Sequence, residues 1–244
     1  MDKMIEKGLK FDAIITDPPY GTTACKWDSI IPFNKMWNKI NKLTNGTSPV
    51  LLFGSEPFSS NLRMSNINAY KYDWYWYKNK PSGAMTAKIQ PMKSMESISV
   101  FYDKQPLYIP QMIERTEVEL KRLSKKSVYT VGTDIDGRKW GKSANRNDNK
   151  MKYPNNVILD IKTVFNRSKE KVAHPTQKPV KLLEYLIKTY TNEEDLILDF
   201  TCGSGSTLIA AKNLNRKCIG VELDENYCEI VKNRILETLK NQHS

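Results

Sequence analysis

The stretch AIITDPPYG, residues 13–21, sets a carboxylate, two prolines and an aromatic ring at the end of an apolar run. Asp17 can accept a hydrogen bond from an amino group. Pro18 and Pro19 have no N–H and hold φ at about −65°, so the turn is stiff and presents a carbonyl oxygen. Tyr20 offers a flat face for stacking. An amino group on an aromatic base is a poor nucleophile, because its lone pair is delocalised into the ring. Two fixed acceptors, the Asp17 carboxylate and the Pro18 carbonyl, would engage both N–H bonds and bias the nitrogen toward sp3. The lone pair would then point at an electrophile, while Tyr20 stacks on the base after its extrusion from a duplex. Rigidity serves this chemistry, because acceptors placed in advance need no reorganisation. An ordinary Pro-Pro turn after a strand is the alternative reading of the same residues.

A second constellation is LILDFTCGSGST, residues 196–207. An apolar run ends at Asp199, a loop of small residues follows, and a helix is expected to open near Gly205. Gly203 and Gly205 let the backbone approach a ligand, and a helix N-terminus favours a carboxylate or phosphate. The next apolar run ends at Glu222, 19 residues after Gly203, where an acid can accept hydrogen bonds from ribose hydroxyls. Together these describe a site for a nucleoside cofactor. Leu208 stands where a dinucleotide fingerprint wants a third glycine, which argues against nicotinamide.

The elements around these loops alternate. DAIIT, PVLLFGS, ESISVFY, DLILDF and KCIGVEL read as strands. YKYDWYWYKN alternates with Tyr72, Trp74 and Trp76 on one face. IPFNKMWNKINKL, EPFSSNLRMSNI, VKLLEYLIKTY, GSTLIAAKNLN and ENYCEIVKNRILETLK read as helices by spacing. Strands alternating with helices imply an α/β fold, a doubly wound, mostly parallel sheet covered on both faces. Residues 1–102 and 171–244 form the two halves of that domain. Residues 103–170, polar and without sustained period, read as an insert.

Charge points to the partner. The chain carries a net +11, and residues 103–171 hold 16 Lys and Arg against 9 Asp and Glu, which is +7 of that excess. A polyanion fits this balance. Lys121, Arg122, Lys125, Lys126, Arg138 and Lys139 are the candidate phosphate contacts. Cys25, Cys202, Cys218 and Cys228 show no CxxC spacing, so free thiols in a reducing cytoplasm are expected and a metal site is not. No apolar run approaches the roughly 20 residues of a membrane span, and the first residues lack the apolar core of a signal peptide. His174 has no second histidine near it in sequence and reads as a turn residue.

TDPPYG, then a basic insert, then HPTQKPVKLLEYLI and LILDFTCGSGST…CIGVELDENY, in that order, resembles the β-class amino-methyltransferases of DNA. The resemblance covers most of residues 11–235 outside the insert. It implies a Rossmann-like methyltransferase fold and S-adenosylmethionine as cofactor. It implies double-stranded DNA as substrate, a second copy of the chain as a candidate partner, and a place in a restriction–modification system. Asp17, Pro18, Pro19 and Tyr20 match the catalytic motif. Asp199, Phe200, Cys202, Gly203, Ser204 and Gly205 match the loop around the cofactor's methionine part, and Glu222 its ribose acid. Thr176, Gln177 and Lys178 match the segment that closes over the methionine end. An Asp before Pro-Pro-Tyr resembles adenine-N6 enzymes more than cytosine-N4 enzymes, which often carry Ser. Cytosine-N4 transfer and a non-catalytic DNA-binding relative are the alternatives. Two departures stand out. Phe200 and Thr201 occupy the Pro and Phe places of the family's Asp-Pro-Phe-x-Gly. The family's upstream strand and Gly-Asp pair, which help hold the cofactor's adenine, have no counterpart in MDKMIEKG. DAIIT is therefore expected to lack a neighbour from upstream sequence and to leave a strand edge exposed, and cofactor binding to be weakened.

Overall fold

The computed structural model describes residues 1–22, 28–124, 150–164, 170–172 and 176–242. In chain order the elements are α1 (Asp2–Glu6), β1 (Ala13–Thr16), α2 (Phe33–Leu43), β2 (Val50–Gly54), α3 (Phe58–Ser65), β3 (Tyr70–Ser82) and β4 (Lys93–Phe101). Then come β5 (Ile113–Glu114), α4 (Glu117–Ser124), β6 (Met151–Lys152), β7 (Val157–Ile158), α5 (Val180–Tyr190), β8 (Leu196–Asp199), α6 (Ser206–Asn213), β9 (Lys217–Gly220) and α7 (Glu225–Gln242). The chain divides into one unit of residues 1–109 with 156–244, and a second unit of residues 110–155.

The first unit is built on a seven-stranded sheet of order β7-β3-β4-β2-β1-β8-β9. β1 pairs in parallel with both β2 and β8, β8 with β9, and β3 with β7, whereas β4 runs antiparallel to β2 and β3. The doubly wound, mostly parallel fold expected from the sequence is therefore present. All four residues of β1 and all five of β2 are buried. A strand covered on both faces needs apolar side chains in both directions, which explains the unbroken AII and VLLF runs. One face packs Ile15, Leu51, Phe53, Trp74, Trp76 and Ile98 against Leu183, Leu186 and Ile187 of α5 and Ala210 and Ala211 of α6. The other packs Ile14, Leu52, Phe101 and Leu198 against Met36, Trp37 and Ile40 of α2 and Phe58 and Leu62 of α3.

One expectation is corrected. β1 does not lack a neighbour: β2 and β8 flank it, because β8 returns from far along the chain to lie beside it. Among the described residues, the strand paired on one side only at that end of the sheet is β9.

The second unit, residues 110–155, is narrower than the expected insert of 103–170. β7 already belongs to the main sheet through Tyr75↔Val157 and Trp76↔Ile158. Within the unit, β5 and β6 pair antiparallel. Thr116 caps α4: the Glu119 amide donates to its hydroxyl at 3.3 Å, and its own amide donates to the Glu119 carboxylate at 2.9 Å. Lys152 meets the same carboxylate at 2.6 Å, and these contacts hold Glu119 at about 2.

Tyr190 ends α5 inside the first core. Its hydroxyl accepts from the Trp74 indole N–H at 2.7 Å and pairs with the Tyr72 hydroxyl at 2.8 Å. Tyr190→Phe leaves the buried indole N–H without its acceptor, which costs about 1–3 kcal/mol. Urea unfolding should show that loss. An unchanged midpoint would mean that the bond contributes nothing net.

Candidate active site

Asp17 follows β1 at the carboxyl edge of the sheet, where ligands of open α/β sheets bind. Its carboxylate accepts from the Tyr20 hydroxyl and from the Lys178 ammonium. Lys178 also reaches Glu96 of β4 at 2.8 Å. Glu96 accepts from Tyr20 at 3.3 Å and pairs with Lys78 at 3.6 Å. The result is a closed cluster of two carboxylates, two ammoniums and a phenol. Burial pushes Asp17 up, and Glu96 adds to that against the pull of Lys178. Burial would raise Glu96 as well, but Lys178 and Lys78 hold it below the ordinary range. Lys178 is raised although burial opposes its charge, because both carboxylates favour it. The Tyr20 ring lies on Phe58 at 5.0 Å between centroids and 29° between planes, so one of its faces is already covered. Among the described residues no donor pairs with the Pro18 carbonyl.

The glycine loop stands beside this turn, because β8 is the neighbour of β1. Gly203 and Gly205 take φ of +51° and +77°, a region that side chains other than glycine rarely enter. α6 starts at Ser206, directly after Gly205. Glu222 holds the loop's shape: Gly203, Leu223 and Asp224 donate their amides to its carboxylate at 2.7, 2.8 and 3.0 Å. Behind the loop, the buried Arg234 of α7 donates to the Ser204 carbonyl at 2.6 Å and to the Ser206 hydroxyl at 3.2 Å.

A thread of hydroxyls joins the two loops. Thr16 donates to Asp199 at 2.7 Å and lies 2.6 Å from the Thr201 hydroxyl, which donates to the Asp17 carbonyl at 3.1 Å. Thr201 stands where the family has an aromatic, and its hydroxyl fixes the backbone at Asp17. Asp199 is pushed up to about 6, first by burial and lastly by Asp17, against hydrogen bonds from Thr207 and Thr16.

The structure thus brings together Asp17, Tyr20, Lys178, Asp199, Gly203, Ser204, Gly205 and Glu222. Phe200, expected beside the cofactor, is buried in the core with Leu198. Gln177 spends its side chain on its own loop, accepting from the Val172 amide and donating to the Glu170 carbonyl. Thr176 is exposed, and Cys202 is buried with its thiol pushed well up by that burial. Lys121 lies on α4 and Arg122 in the same helix. Lys125, Lys126, Arg138, Lys139, Cys25 and His174 lie outside the described residues, and the described Cys202, Cys218 and Cys228 are free thiols. Sequence reasoning missed Glu96, Lys78, Thr16 and Arg234, and met Thr201 only as a departure in the loop, without its bond to the turn. Glu96, a lone acid in an otherwise uncharged run from Ser94 to Tyr102, was the available signal. Among the described residues no group of His, Cys, Asp or Glu could hold a metal, and no helix is long and apolar enough to cross a membrane.

An open α/β sheet with an Asp-Pro-Pro-Tyr turn beside a glycine loop defines an amino-directed methyltransferase domain. The chain belongs to the DNA methylase family of N6/N4 type, whose family model matches residues 11–233. It is 26% identical to the type II methyltransferase M.HpaI of Haemophilus parainfluenzae over 237 residues, 92% of this chain and 68% of that protein. It is likewise 26% identical to the type II methyltransferase M1.MboII of Moraxella bovis over 252 residues, 93% of this chain and 89% of that protein. Among solved structures, the M1.HpyAVI–SAM complex matches with a TM-score of 0.62 and 25% identity, over 96% of this chain and 93% of that one.

Two outcomes are expected of the charged groups. Glu96→Gln removes a charge that raises Asp17, and Lys178→Met removes one that lowers it. NMR titration of the Asp17 carboxyl should therefore move down in pH in the first variant and up in the second; shifts of the same sign would detach Asp17 from the cluster. Asp199 titrates at about 6 in the folded protein and at about 3.9 unfolded. The folded state then binds more protons between those values, so stability falls as pH rises through the window, by about 3 kcal/mol in the limit. Asp199→Asn should flatten that fall in unfolding experiments run from pH ~4 to ~6, and an unaltered slope would place the effect elsewhere.

Proposed function

We propose that the protein methylates N6 of an adenine extruded from double-stranded DNA, at a specific sequence. One observation carries the reading: the stiff Asp17 turn and the glycine loop sit on adjacent strand ends and are tied by Thr16 and Thr201. Nucleophile and methyl donor would then meet across one strand spacing, about 4.8 Å.

S-adenosylmethionine is the cofactor, and the loop fits it. The first amides of α6 and the Arg234 charge behind them suit the carboxylate of the methionine end, and Glu222 suits the ribose. Bound there, it supplies a methyl group activated by attachment to a positively charged sulfur. The chain's own residues do the rest. Asp17 and the Pro18 carbonyl accept the two N–H bonds of the adenine amino group. The face of Tyr20 turned away from Phe58 stacks on the base, worth roughly 1–3 kcal/mol. As Asp17 turns to the substrate, Lys178 keeps its bond to Glu96, so no ammonium is stranded. The proton released from the amine passes to Asp17, whose raised pKa makes it a better acceptor than an exposed carboxylate. Lys121, Arg122, Lys125, Lys126, Arg138 and Lys139 neutralise phosphates, in keeping with the +7 of their segment. The setting is the cytoplasm.

Asp17→Ala should lower methyl transfer roughly 100- to 10,000-fold while melting stays near wild type. Tritium transfer from labelled S-adenosylmethionine to DNA measures it. Methylome sequencing of cells expressing the protein then reads the base: N6-methyladenine supports the proposal, N4-methylcytosine replaces the substrate, and no mark with full binding makes the chain a non-catalytic relative.

A further inference from the structure

The hairpin joining β3 to β4 ends in a tip that neither core claims. Ser82 pairs with Lys93 across its base. Beyond them the chain folds on itself around a 3-10 turn, Ala84–Thr86. The Thr86 amide donates to Gly83 at 3.1 Å, and the Ile89 and Gln90 amides donate to the Thr86 carbonyl at 3.0 and 3.1 Å. The Gln90 side chain donates to the Thr86 hydroxyl at 2.9 Å, and Gly83 takes φ +90°. The tip is therefore a built loop, held by its own bonds.

It presents apolar side chains to water. Met85 is fully exposed and Ile89 is 85% exposed, with Met92 and Met95 partly so. A cluster of this kind marks a surface that meets a partner. The charge around it is of one sign: between Asp73 and Glu96 there is no acid, and there are four lysines, Lys78, Lys80, Lys88 and Lys93. Lys78 pairs with Glu96 and Lys93 donates to the Glu56 carbonyl; Lys80, Lys88 and Lys93 lie exposed. The fitting partner is an anionic surface with an apolar interior within reach, and duplex DNA, phosphates outside and stacked bases inside, is one.

Position favours DNA over a lipid surface. β3 runs in the same direction as β1, since β4 is antiparallel to both β3 and β2 and β2 is parallel to β1. The tip thus opens at the sheet edge that carries Asp17. Its base is also joined to the catalytic cluster: Glu96 lies three residues along β4 from Lys93, about 10 Å at strand spacing, and binds the same Lys178 that holds Asp17.

We propose that this tip is a wedge that enters the base stack beside the target nucleotide. Met85 and Ile89 fill the space that the extruded base leaves, and Lys88 and Lys93 meet the flanking phosphates. Apolar side chains inserted at a base step offset the unstacking that extrusion requires. The proposal rests on the DNA-methylating function above and adds to it the element that opens the duplex.

The test uses the double variant Met85→Ser, Ile89→Ser, whose sites are exposed. Methyl transfer is measured on two duplexes of the sequence found by methylome mapping. One is fully paired. The other has an abasic position opposite the target, so that no pairing remains to be broken and extrusion costs less. The wedge predicts a loss of about tenfold on the paired duplex, wild-type transfer on the abasic one, and unchanged S-adenosylmethionine affinity and melting. Equal loss on both duplexes, or no loss on either, overturns the wedge while leaving the methyltransferase reading intact. Absence of transfer by the wild-type protein to any DNA overturns the functional reading, and the wedge with it. Sedimentation with anionic phosphatidylserine vesicles is the third arm: vesicle binding that the variant loses, with transfer to both duplexes unaltered, assigns the tip to a membrane and overturns its role in DNA.

Discussion

The ammonium of Lys178, between Asp17 and Glu96, is the interaction on which the site depends. Two carboxylates brought together out of water repel each other, and each loses hydration that must be replaced. A buried cation shared between them supplies the replacement, and Lys78 adds a second from β3. The arrangement fixes four segments at one point: the turn after β1, the middle of β4, the residues leading into α5 and, through Lys78, β3. It also gives Lys178 two anions of unequal access. Asp17 is the more open, at 24% side-chain exposure against 10% for Glu96. A substrate that draws Asp17 away leaves Lys178 still neutralised.

The two loops of the site owe their meeting to strand order. β1 and β8 are adjacent, so the residues that end them, Thr16 and Asp199, are within one hydrogen bond. Thr201 extends that contact to the backbone of the turn. The exchange of an aromatic for a threonine in the glycine loop replaces a flat contact surface with a hydroxyl that the turn uses. Arg234 performs a comparable service from α7, binding the loop's carbonyl from behind with a guanidinium that burial makes less basic.

Most of the scaffold was legible because buried parallel strands have a plain signature. AII and LIL have no polar residue to interrupt them, and the helix that packs on them carries Leu183, Leu186 and Ile187 at helical spacing. The Asp17 turn and the glycine loop were legible for a different reason: their residue types are rare in combination and constrained by backbone geometry. What escaped were groups whose roles arise only from long-range pairing. Glu96 looks like the polar partner in an alternating strand until β4 is set opposite Trp76 and within reach of Lys178. Thr16 reads as one more β-branched strand residue. β7 is two residues long, too short to show any period, and it lies in a polar stretch that otherwise reads as insert. The missing neighbour expected beside β1 was an error of topology: local pattern says that a strand exists, but not which distant strand will lie next to it.

That same adjacency governs how the protein comes into being. Ala13 pairs with Ile197, so the centre of the sheet cannot close until residue 197 has left the ribosome. At roughly 5–20 residues per second the wait is on the order of 10–40 s. During it, β1 can gain β2 but keeps its other edge bare, an apolar strand offering unpaired amides and carbonyls to any neighbour. Contacts of such large sequence separation also slow the final docking. The nascent protein must therefore be shielded or kept dilute in that interval, and the order of synthesis decides when the site first exists.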